Sequence, residues 1–214
     1  MEETTVNGMG LKNFNLNPYS QNTYIYYHRD TNQGVIIDAG LSKTQLLKHV
    51  ANHDIQAIVL THGHFDHIFS LNKLKDLTGA PVYAYVDEQA LLEDPRLNLS
   101  GEPTDSKAIH ATADHWLAHG DILELPGFHF QVIHTPGHTA GGMCLYDQAH
   151  GLLFSGDTLF QASVGRTDLP TSSHQQLKDS IVNKLFHLPD DTLVYSGHGK
   201  PTTIGHEKAH NPFV

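Results

Sequence analysis

Short apolar runs separated by polar turn residues recur along the whole chain of 214 residues. Runs that are rich in β-branched and aromatic residues and bounded by Gly, Asn or Asp are typical of strands. This pattern predicts strands at 22–27, 34–37, 55–61, 81–85, 122–125, 128–135, 142–146, 152–155 and 192–196. Strands therefore dominate the second half of the chain.

Other stretches carry apolar residues at helical spacing. Helices are predicted to begin at Ser42 and to cover 66–77, 87–93 and 173–186, with a last surface helix around 206–210. Gly79 is predicted to end the second of these helices, since glycine is common just after a helix. Residues 95–120 show neither periodicity, and a loop of this length in a compact domain is usually functional or disordered. We expect this segment to flank a pocket.

The mixture of strands and helices predicts an α/β (α+β) fold in which helices cover sheet layers. No linker rich in Pro, Gly and Ser divides the sequence, so we expect a single domain over residues 1–214. No apolar run reaches the roughly 20 residues that a membrane-spanning helix needs. The first residues also lack the basic and apolar segments of a signal peptide. We therefore expect a soluble, cytoplasmic protein that does not bind a membrane.

Charge and cysteine content narrow the function classes. The chain has 13 Lys and Arg against 23 Asp and Glu, a formal net charge of −10, which disfavours binding to nucleic acid or anionic lipid. The single cysteine, Cys144, cannot form an internal disulfide, which fits a reducing compartment. Histidine is the commonest metal ligand, and the 18 histidines outnumber Lys and Arg together. Metal binding is therefore the first chemistry to consider.

The densest group of candidate ligands is the run His62-Gly63-His64-Phe65-Asp66-His67, which lies between a predicted strand and a predicted helix. His62 and His64 are two residues apart and can point the same way in an extended turn. Asp66 and His67, at the start of the helix, can point to a neighbouring position. This arrangement suits two adjacent metal ions.

Three later segments share one design, in which an apolar strand ends in a glycine-containing turn that presents a His or an Asp. These residues are His138 in TPGHT, Asp157 in SGDT and His198 in SGHG. Because such strand ends converge on one sheet edge, we expect a common site of five His and two Asp. Nitrogen and oxygen donors of this kind fit Zn²⁺, with Fe or Mn as alternatives.

In this order, HGHFDH, TPGHT, SGDTLF and SGHG resemble the metallo-β-lactamase superfamily. The longer strings SGDTLFQASVGRTDLP and GHGKPTTIGHEKAHNPF resemble its glyoxalase II branch, the hydroxyacylglutathione hydrolases, in the short single-domain bacterial form. The resemblance covers about residues 22–213. It implies a four-layer αββα sandwich with the metal site at the edge of the two sheets. The C-terminal helical domain with which full-length glyoxalase II binds glutathione is expected to be absent, because the chain stops at Val214.

The resemblance also implies roles for individual residues. It assigns the ligands of two divalent metal ions as His62, His64 and His138 for the first, Asp66, His67 and His198 for the second, and Asp157 as the bridge. Asp66 would also orient the attacking hydroxide, as a catalytic residue. Asp38 would be a supporting carboxylate that fixes a ligand histidine.

Two metal ions roughly 4 Å apart can ionise water near neutral pH and polarise a carbonyl oxygen. The implied reaction is hydrolysis of S-2-hydroxyacylglutathione or of a related small-thiol thioester. Arg166, nine residues after Asp157, suits bidentate binding of a substrate carboxylate. The alternative for Arg166 is a structural ion pair with Asp168. We expect no macromolecular partner, and the oligomeric state is left open.

Other functions fit the same residues. A persulfide dioxygenase would hold a single iron with His62, His138 and Asp157 and leave the second set empty. Lactonase or β-lactamase activity is a further alternative, since one fold hosts many functions. A metal-buffering module without catalysis would also account for the 18 histidines and the acidic surface.

Overall fold

A computed structural model describes residues 2–15, 19–40, 44–101 and 107–214 of the chain. In this part of the chain, two large β-sheets pack face to face. None of the helices in these ranges combines the length and the apolar character that crossing a membrane requires. The predicted N-cap, Ser42, lies outside the described residues.

The first sheet contains strands in chain order, with antiparallel pairing from β1 to β4 and parallel pairing from β4 to β7. Its strands are β1 (Glu2–Val6), β2 (Met9–Phe14), β3 (Thr23–His28), β4 (Gln33–Ile37), β5 (Asp54–Val59), β6 (Val82–Tyr85) and β7 (His115–Leu117). The β1–β2 hairpin was absent from the sequence prediction, although Asn7-Gly8 is a typical hairpin turn. Both turn residues have positive φ, 48° and 91°.

The second sheet has the strand order β15-β14-β11-β10-β9-β8. Its strands are β8 (Ile122–Leu125), β9 (Phe128–His134), β10 (Met143–Asp147), β11 (Leu152–Gly156), β14 (Leu193–Ser196) and β15 (Thr202–Thr203). A separate hairpin is formed by β12 (Leu159–Phe160) and β13 (Ser163–Val164). Strands β11 and β14 are parallel, so both end at the same edge of the sheet.

Helices cover the outer faces of both sheets. The helices are α1 (Thr44–Val50), α2 (Phe65–Ile68), α3 (Leu71–Thr78), α4 (Gln89–Glu93), α5 (His174–Asn183) and α6 (Ile204–His210). One apolar cluster fills the space between the sheets, around Tyr26, Phe130 and Phe154. A second packs α1 and α3 on the first sheet, and a third packs α5 on the second. The predicted αββα layering is confirmed.

The prediction of one helix over 66–77 was wrong, because the chain forms α2 and α3 with a break between them. At the break, the Ser70 N–H donates to the carbonyl oxygen of Ala39 at 2.8 Å, and the Ala39 N–H donates to that of His67 at 2.6 Å. These hydrogen bonds to the loop after β4 replace backbone hydrogen bonds that a continuous helix would form. Gly79 ends α3 in the left-handed conformation, as predicted.

The segment 95–120 is also partly regular. Residues 115–117 form β7, which extends the first sheet beside β6. Asp114 supports this edge, because its carboxylate accepts hydrogen bonds from the Val82 N–H and from Lys75. Leu99, in the same segment, borders the cavity described below, as the prediction of a pocket-flanking segment required.

Candidate metal centre

Five of the seven predicted ligands lie just beyond the carboxyl end of a strand, and Asp66 and His67 lie in α2. His62 and His64 follow β5, while His138, Asp157 and His198 follow β9, β11 and β14. Backbone hydrogen bonds join the two sheets here. The Asn22 N–H donates to the carbonyl oxygen of Gly197 at 2.7 Å, and the Met143 N–H donates to that of Thr61 at 2.9 Å. The site therefore lies on a rigid edge shared by both sheets.

The HGHFDH run changes conformation at its centre. His64 is extended, with φ −63° and ψ 150°, and α2 begins at the next residue. The extended part presents His62 and His64, and the first helical turn presents Asp66 and His67. The sequence prediction of this turn-to-helix arrangement is confirmed.

The first set of donors consists of His62, His64 and His138, all buried. One donor atom from each lies within 4.8 Å of the others. The Nδ1 atom of His64 is 2.9 Å from Nε2 of His138. Three imidazoles so closely spaced fit a single ion with nitrogen ligands.

The second set consists of Asp66, His67 and His198, which meet the same distance limit. Nε2 of His198 is 3.3 Å from Oδ2 of Asp66, and Nε2 of His67 is 3.9 Å from the same oxygen. Two nitrogen donors and one carboxylate also fit a divalent ion.

Asp157 lies between the two sets. Its Oδ1 is 3.4 Å from Nε2 of His67, and its Oδ2 is 3.5 Å from Nε2 of both His138 and His198. The neighbouring turn leaves no room for a side chain at Gly197, where a Cβ atom would lie 2.1 Å from Oδ1 of Asp157. Asp157 can therefore contact ions in both sets.

Direct hydrogen bonds from Nδ1 fix the orientation of two imidazoles, those of His138 and His67. Nδ1 of His138 is 2.9 Å from the backbone carbonyl oxygen of Arg166, which only accepts, so this nitrogen carries the proton. Nδ1 of His67 donates to Oδ2 of Asp38 at 2.8 Å. In both rings Nε2 then faces the site, and it is the nitrogen that a neutral imidazole offers to a metal ion.

His62 is oriented by Thr61, a residue that the sequence analysis did not single out. The Thr61 hydroxyl donates to the Asp38 carboxylate and is 3.2 Å from Nδ1 of His62, from which it can accept. The Thr61 N–H also donates to Asp38 at 2.8 Å. Asp38 therefore supports two imidazoles, one directly and one through Thr61. The position of Thr61 directly before HGHFDH was the available signal.

Several donor atoms of the site are buried without a hydrogen-bond partner. They include Nε2 of His62, Nε2 of His67 and Oδ1 of Asp157. Buried polar atoms nearly always have a partner, so orphaned atoms that face one another call for an explanation. Metal ions at this position would supply the missing partners. The residues present therefore fit the predicted divalent metal ions.

The electrostatics distinguish the two sets. Burial lowers the pKa of His62 well below its usual value, and it lowers that of His64 to about 3. Burial also opposes the charged form of His67, but the carboxylates of Asp38, Asp157 and Asp66 outweigh it and raise its pKa. His62 and His64 are therefore held neutral, and the carboxylates around His67 attract positive charge.

A cavity of about 490 Å³ opens in front of the donors. The cavity is lined by five of the donors, His64, Asp66, His138, Asp157 and His198. Its lining also contains the apolar or aromatic side chains of Tyr19, Phe65, Leu99, Phe160, Val164 and Leu169. The cavity can therefore hold a small molecule with an apolar part against the donor cluster.

Arg166 borders this cavity, but its side chain is engaged elsewhere. Its Nε donates to Oδ1 of Asp168 at 2.7 Å, and its Nη2 donates to Oδ2 at 2.8 Å. The two side chains are 63% and 69% exposed. The structure therefore contains the ion pair that the sequence analysis gave as the alternative, at a position where the guanidinium can also meet a ligand.

Two other places hold residue types that often carry chemistry but lie outside the site. The rings of His206 and His210 stack on α6, with centroids 4.7 Å apart, and no third donor joins them among the described residues. Cys144 is fully buried, and burial raises the pKa of its thiol to about 11, as expected for a small core residue rather than a nucleophile.

Comparison with known proteins agrees with this geometry. The profile of the metallo-beta-lactamase superfamily matches residues 16–198, which include all seven clustered donors. A probable metallo-hydrolase of Streptococcus pyogenes is 39% identical over 194 residues, 88% of this chain and 84% of that protein. The hydroxyacylglutathione hydrolase GloC of Haemophilus influenzae is 32% identical over 212 residues, 96% of this chain and 98% of that protein.

Solved structures are similar over nearly the whole chain. The B3 metallo-beta-lactamase BLEG-1 has a TM-score of 0.89 and 43% identity, over 95% of this chain and 98% of that one. TTHA1623, determined in a di-iron-bound form, has a TM-score of 0.81 and 34% identity, over 95% of this chain and 100% of that one. ETHE1 from Myxococcus xanthus has a TM-score of 0.77 and 31% identity, over 94% and 83%.

Proposed function

The chain belongs to the metallo-β-lactamase superfamily, and from this membership we propose that it is a thioesterase of the glyoxalase II type. Its relatives identify it as a metallo-hydrolase. The proposed substrate is S-2-hydroxyacylglutathione or a thioester of another small thiol. The proposed cofactors are two divalent ions, with zinc first and iron or manganese as alternatives.

One observation carries the proposal. Two sets of donors share Asp157, whose two oxygens lie 3.4 to 3.5 Å from histidines of both sets. A metal-buffering module has no need for a carboxylate between two sets. The similarity to a hydroxyacylglutathione hydrolase over 98% of that protein's length favours a thioester over other carbonyl substrates.

When bound, two divalent ions lower the pKa of a water molecule and polarise the substrate carbonyl. The protein supplies the geometry for this chemistry. The ligands of the first ion would be His62, His64 and His138. Those of the second ion would be Asp66, His67 and His198. Asp38 keeps Nε2 of His67 directed at the site by accepting the proton on Nδ1. No nucleophilic side chain is needed.

Asp66 has a second proposed role. Its carboxylate borders the cavity, so it can accept a hydrogen bond from the attacking water and orient it. Burial raises the pKa of Asp66, but the charge of His67 and the hydrogen bond from His198 outweigh it, so the pKa is lowered. The carboxylate therefore stays ionised and can accept a hydrogen bond from water. The apolar side chains that also line the cavity would contact the acyl and thiol groups of a substrate.

The proposal is tested with a substrate panel of S-lactoylglutathione, glutathione persulfide and a β-lactam. The purified protein should hydrolyse the thioester fastest, and His62→Ala should abolish this activity. His206→Ala is the matched control, since it removes an exposed histidine outside the donor cluster and should leave the rate unchanged. Hydrolysis of only the β-lactam, or thioester turnover that survives His62→Ala, would contradict the proposal.

A second candidate is persulfide dioxygenation at a single iron. The observation in its favour is the 3.5 Å distance between Nε2 of His138 and Oδ2 of Asp157, two of the three proposed iron ligands, of which His62 is the third. This candidate requires oxygen consumption with glutathione persulfide and leaves Asp66 and His198 without a metal. Measuring oxygen uptake in the same panel separates the two functions.

A further inference from the structure

Glu88 is a buried carboxylate near the metal centre that the proposed reaction does not use. It lies where the turn after β6 leads into α4, and it is 1% exposed. Burying a carboxylate is costly unless hydrogen bonds compensate for the lost water. Its hydrogen bonds therefore indicate what the residue does.

Both carboxylate oxygens of Glu88 accept backbone hydrogen bonds. Oε2 accepts the N–H of Gly63 at 2.9 Å, and Oε1 accepts the N–H of Gly141 at 2.8 Å. Gly63 lies between His62 and His64, and Gly141 follows His138 by three residues. One side chain thus joins the two loops that carry the whole first set of donors.

A side chain at Gly63 or Gly141 would require its neighbours to shift, and Glu88 is among those neighbours at both positions. A Cβ atom at Gly63 would lie 2.7 Å from a methyl group of Leu91 and 3.2 Å from Oε2 of Glu88. At Gly141 it would lie 2.5 Å from the backbone nitrogen of Glu88. The contact is therefore between a carboxylate and two bare backbone segments, which fixes the distance between the loops.

We infer that Glu88 is a positioning residue that sets the separation of the two ligand loops, and through it the affinity for the metal ion held by the first set. A glutamine in its place would have one carbonyl oxygen, which can accept only one of these two hydrogen bonds. Its NH₂ group would then face the N–H of the other loop. This inference rests on the proposed metal sites. Residues that orient metal ligands typically change affinity by about 10- to 100-fold when altered.

The test is a zinc titration of the metal-free protein in competition with a chromophoric chelator, which reports stepwise affinities without any substrate. Glu88→Gln should weaken binding at the first set by about 10- to 100-fold. Glu88→Asp keeps the charge but is one methylene shorter, so it cannot reach both loops and should also weaken binding. It serves in place of Glu88→Gln if that variant does not fold.

Glu207→Gln is the matched control. Glu207 is also 1% exposed and accepts hydrogen bonds from the Ala162 N–H and from Thr202, but it touches neither ligand loop. It should lower the melting temperature and leave zinc affinity unchanged. Zinc affinity of Glu88→Gln within twofold of wild type, or lowered only as much as in Glu207→Gln, would overturn the inference. If the wild-type protein itself bound no zinc, the proposed function would fail instead.

Discussion

Nδ1 of His67 donates a 2.8 Å hydrogen bond to Oδ2 of Asp38, and both side chains are buried. The same carboxylate accepts the N–H and the hydroxyl of Thr61, through which it supports His62. Asp38 therefore orients one histidine from each set of donors. Loss of Asp38 should therefore weaken the binding of both metal ions. Among the ligands themselves, only loss of Asp157 should do the same.

Asp38→Asn should lower metal affinity and thioesterase activity by about 10- to 100-fold. The amide has one acceptor for two donor residues, so its NH₂ group would face either Thr61 or Nδ1 of His67. Asparagine tolerates the positive φ of 60° at this position, which preserves the backbone. Elemental analysis and kcat give the two readouts.

Asp147→Asn is the control for this variant. Asp147 is a buried aspartate that likewise pairs with a histidine, His150, at 2.7 Å, but it lies away from the donors. It should leave metal content unchanged. If both variants lost metal equally, the effect of Asp38 would be one of general stability.

Gly197→Ala tests the bridging position of Asp157. A Cβ atom would lie 2.1 Å from Oδ1 of Asp157 and 2.6 Å from Cε1 of His67, so the carboxylate must move. Because a misplacement of about 1 Å can cost about 100-fold in rate, kcat/KM should fall to that extent. Gly34→Ala is the control, since its nearest neighbour would be at an ordinary 3.4 Å. Wild-type kinetics in Gly197→Ala would show that Asp157 does not need its observed position.

Arg166 should bind an anionic part of the substrate. A hydrogen bond to a charged group contributes about 1.5 to 3 kcal/mol. Arg166→Ala should therefore lower kcat/KM by about 10- to 100-fold, mainly through KM. The loss should be smaller for a neutral thioester and at high salt.

Asp168→Ala distinguishes recognition from structure. Asp168 competes for the same guanidinium, so its removal should lower KM for an anionic thioester if Arg166 binds the substrate. If the pair is only structural, both variants should impair the enzyme alike, for charged and neutral substrates. A fall in melting temperature that accounts for the defect would lead to the same conclusion.

The two metal ions should leave at different pH values. The pKa of His67 and that of His198 are raised above 6.5, because nearby carboxylates outweigh the effect of burial. The pKa values of His62 and His64 are lowered by burial. A proton on a ligand nitrogen competes with the metal. This competition begins above pH 6.5 at His67 and His198 and only well below it at His62 and His64.

Equilibrium dialysis between about pH 5 and pH 8, followed by elemental analysis, measures this order of release. One equivalent should be lost first as the pH falls, and Asp66→Asn should remove that early step. Simultaneous release of both ions, or retention of the early step in Asp66→Asn, would be inconsistent with two electrostatically distinct sets.

The sequence predicted the layers and the gathering of the donors because both depend on local patterns. Apolar strands ending in glycine turns identified His138, Asp157 and His198, and the structure brings these side chains together. The break between α2 and α3 was missed because it depends on hydrogen bonds from Ala39 and Ser70 that join distant segments. Glu88 was missed for the same reason, since its partners lie 25 and 53 residues away.

The central claim is that two metal ions act together in thioester hydrolysis. The most direct measurement is a zinc titration of the metal-free protein during turnover of S-lactoylglutathione. The rate should continue to rise until two equivalents per chain are bound, and a chelator should reverse it. A plateau at one equivalent, or activity that requires a single iron and consumes oxygen with glutathione persulfide, would contradict this account.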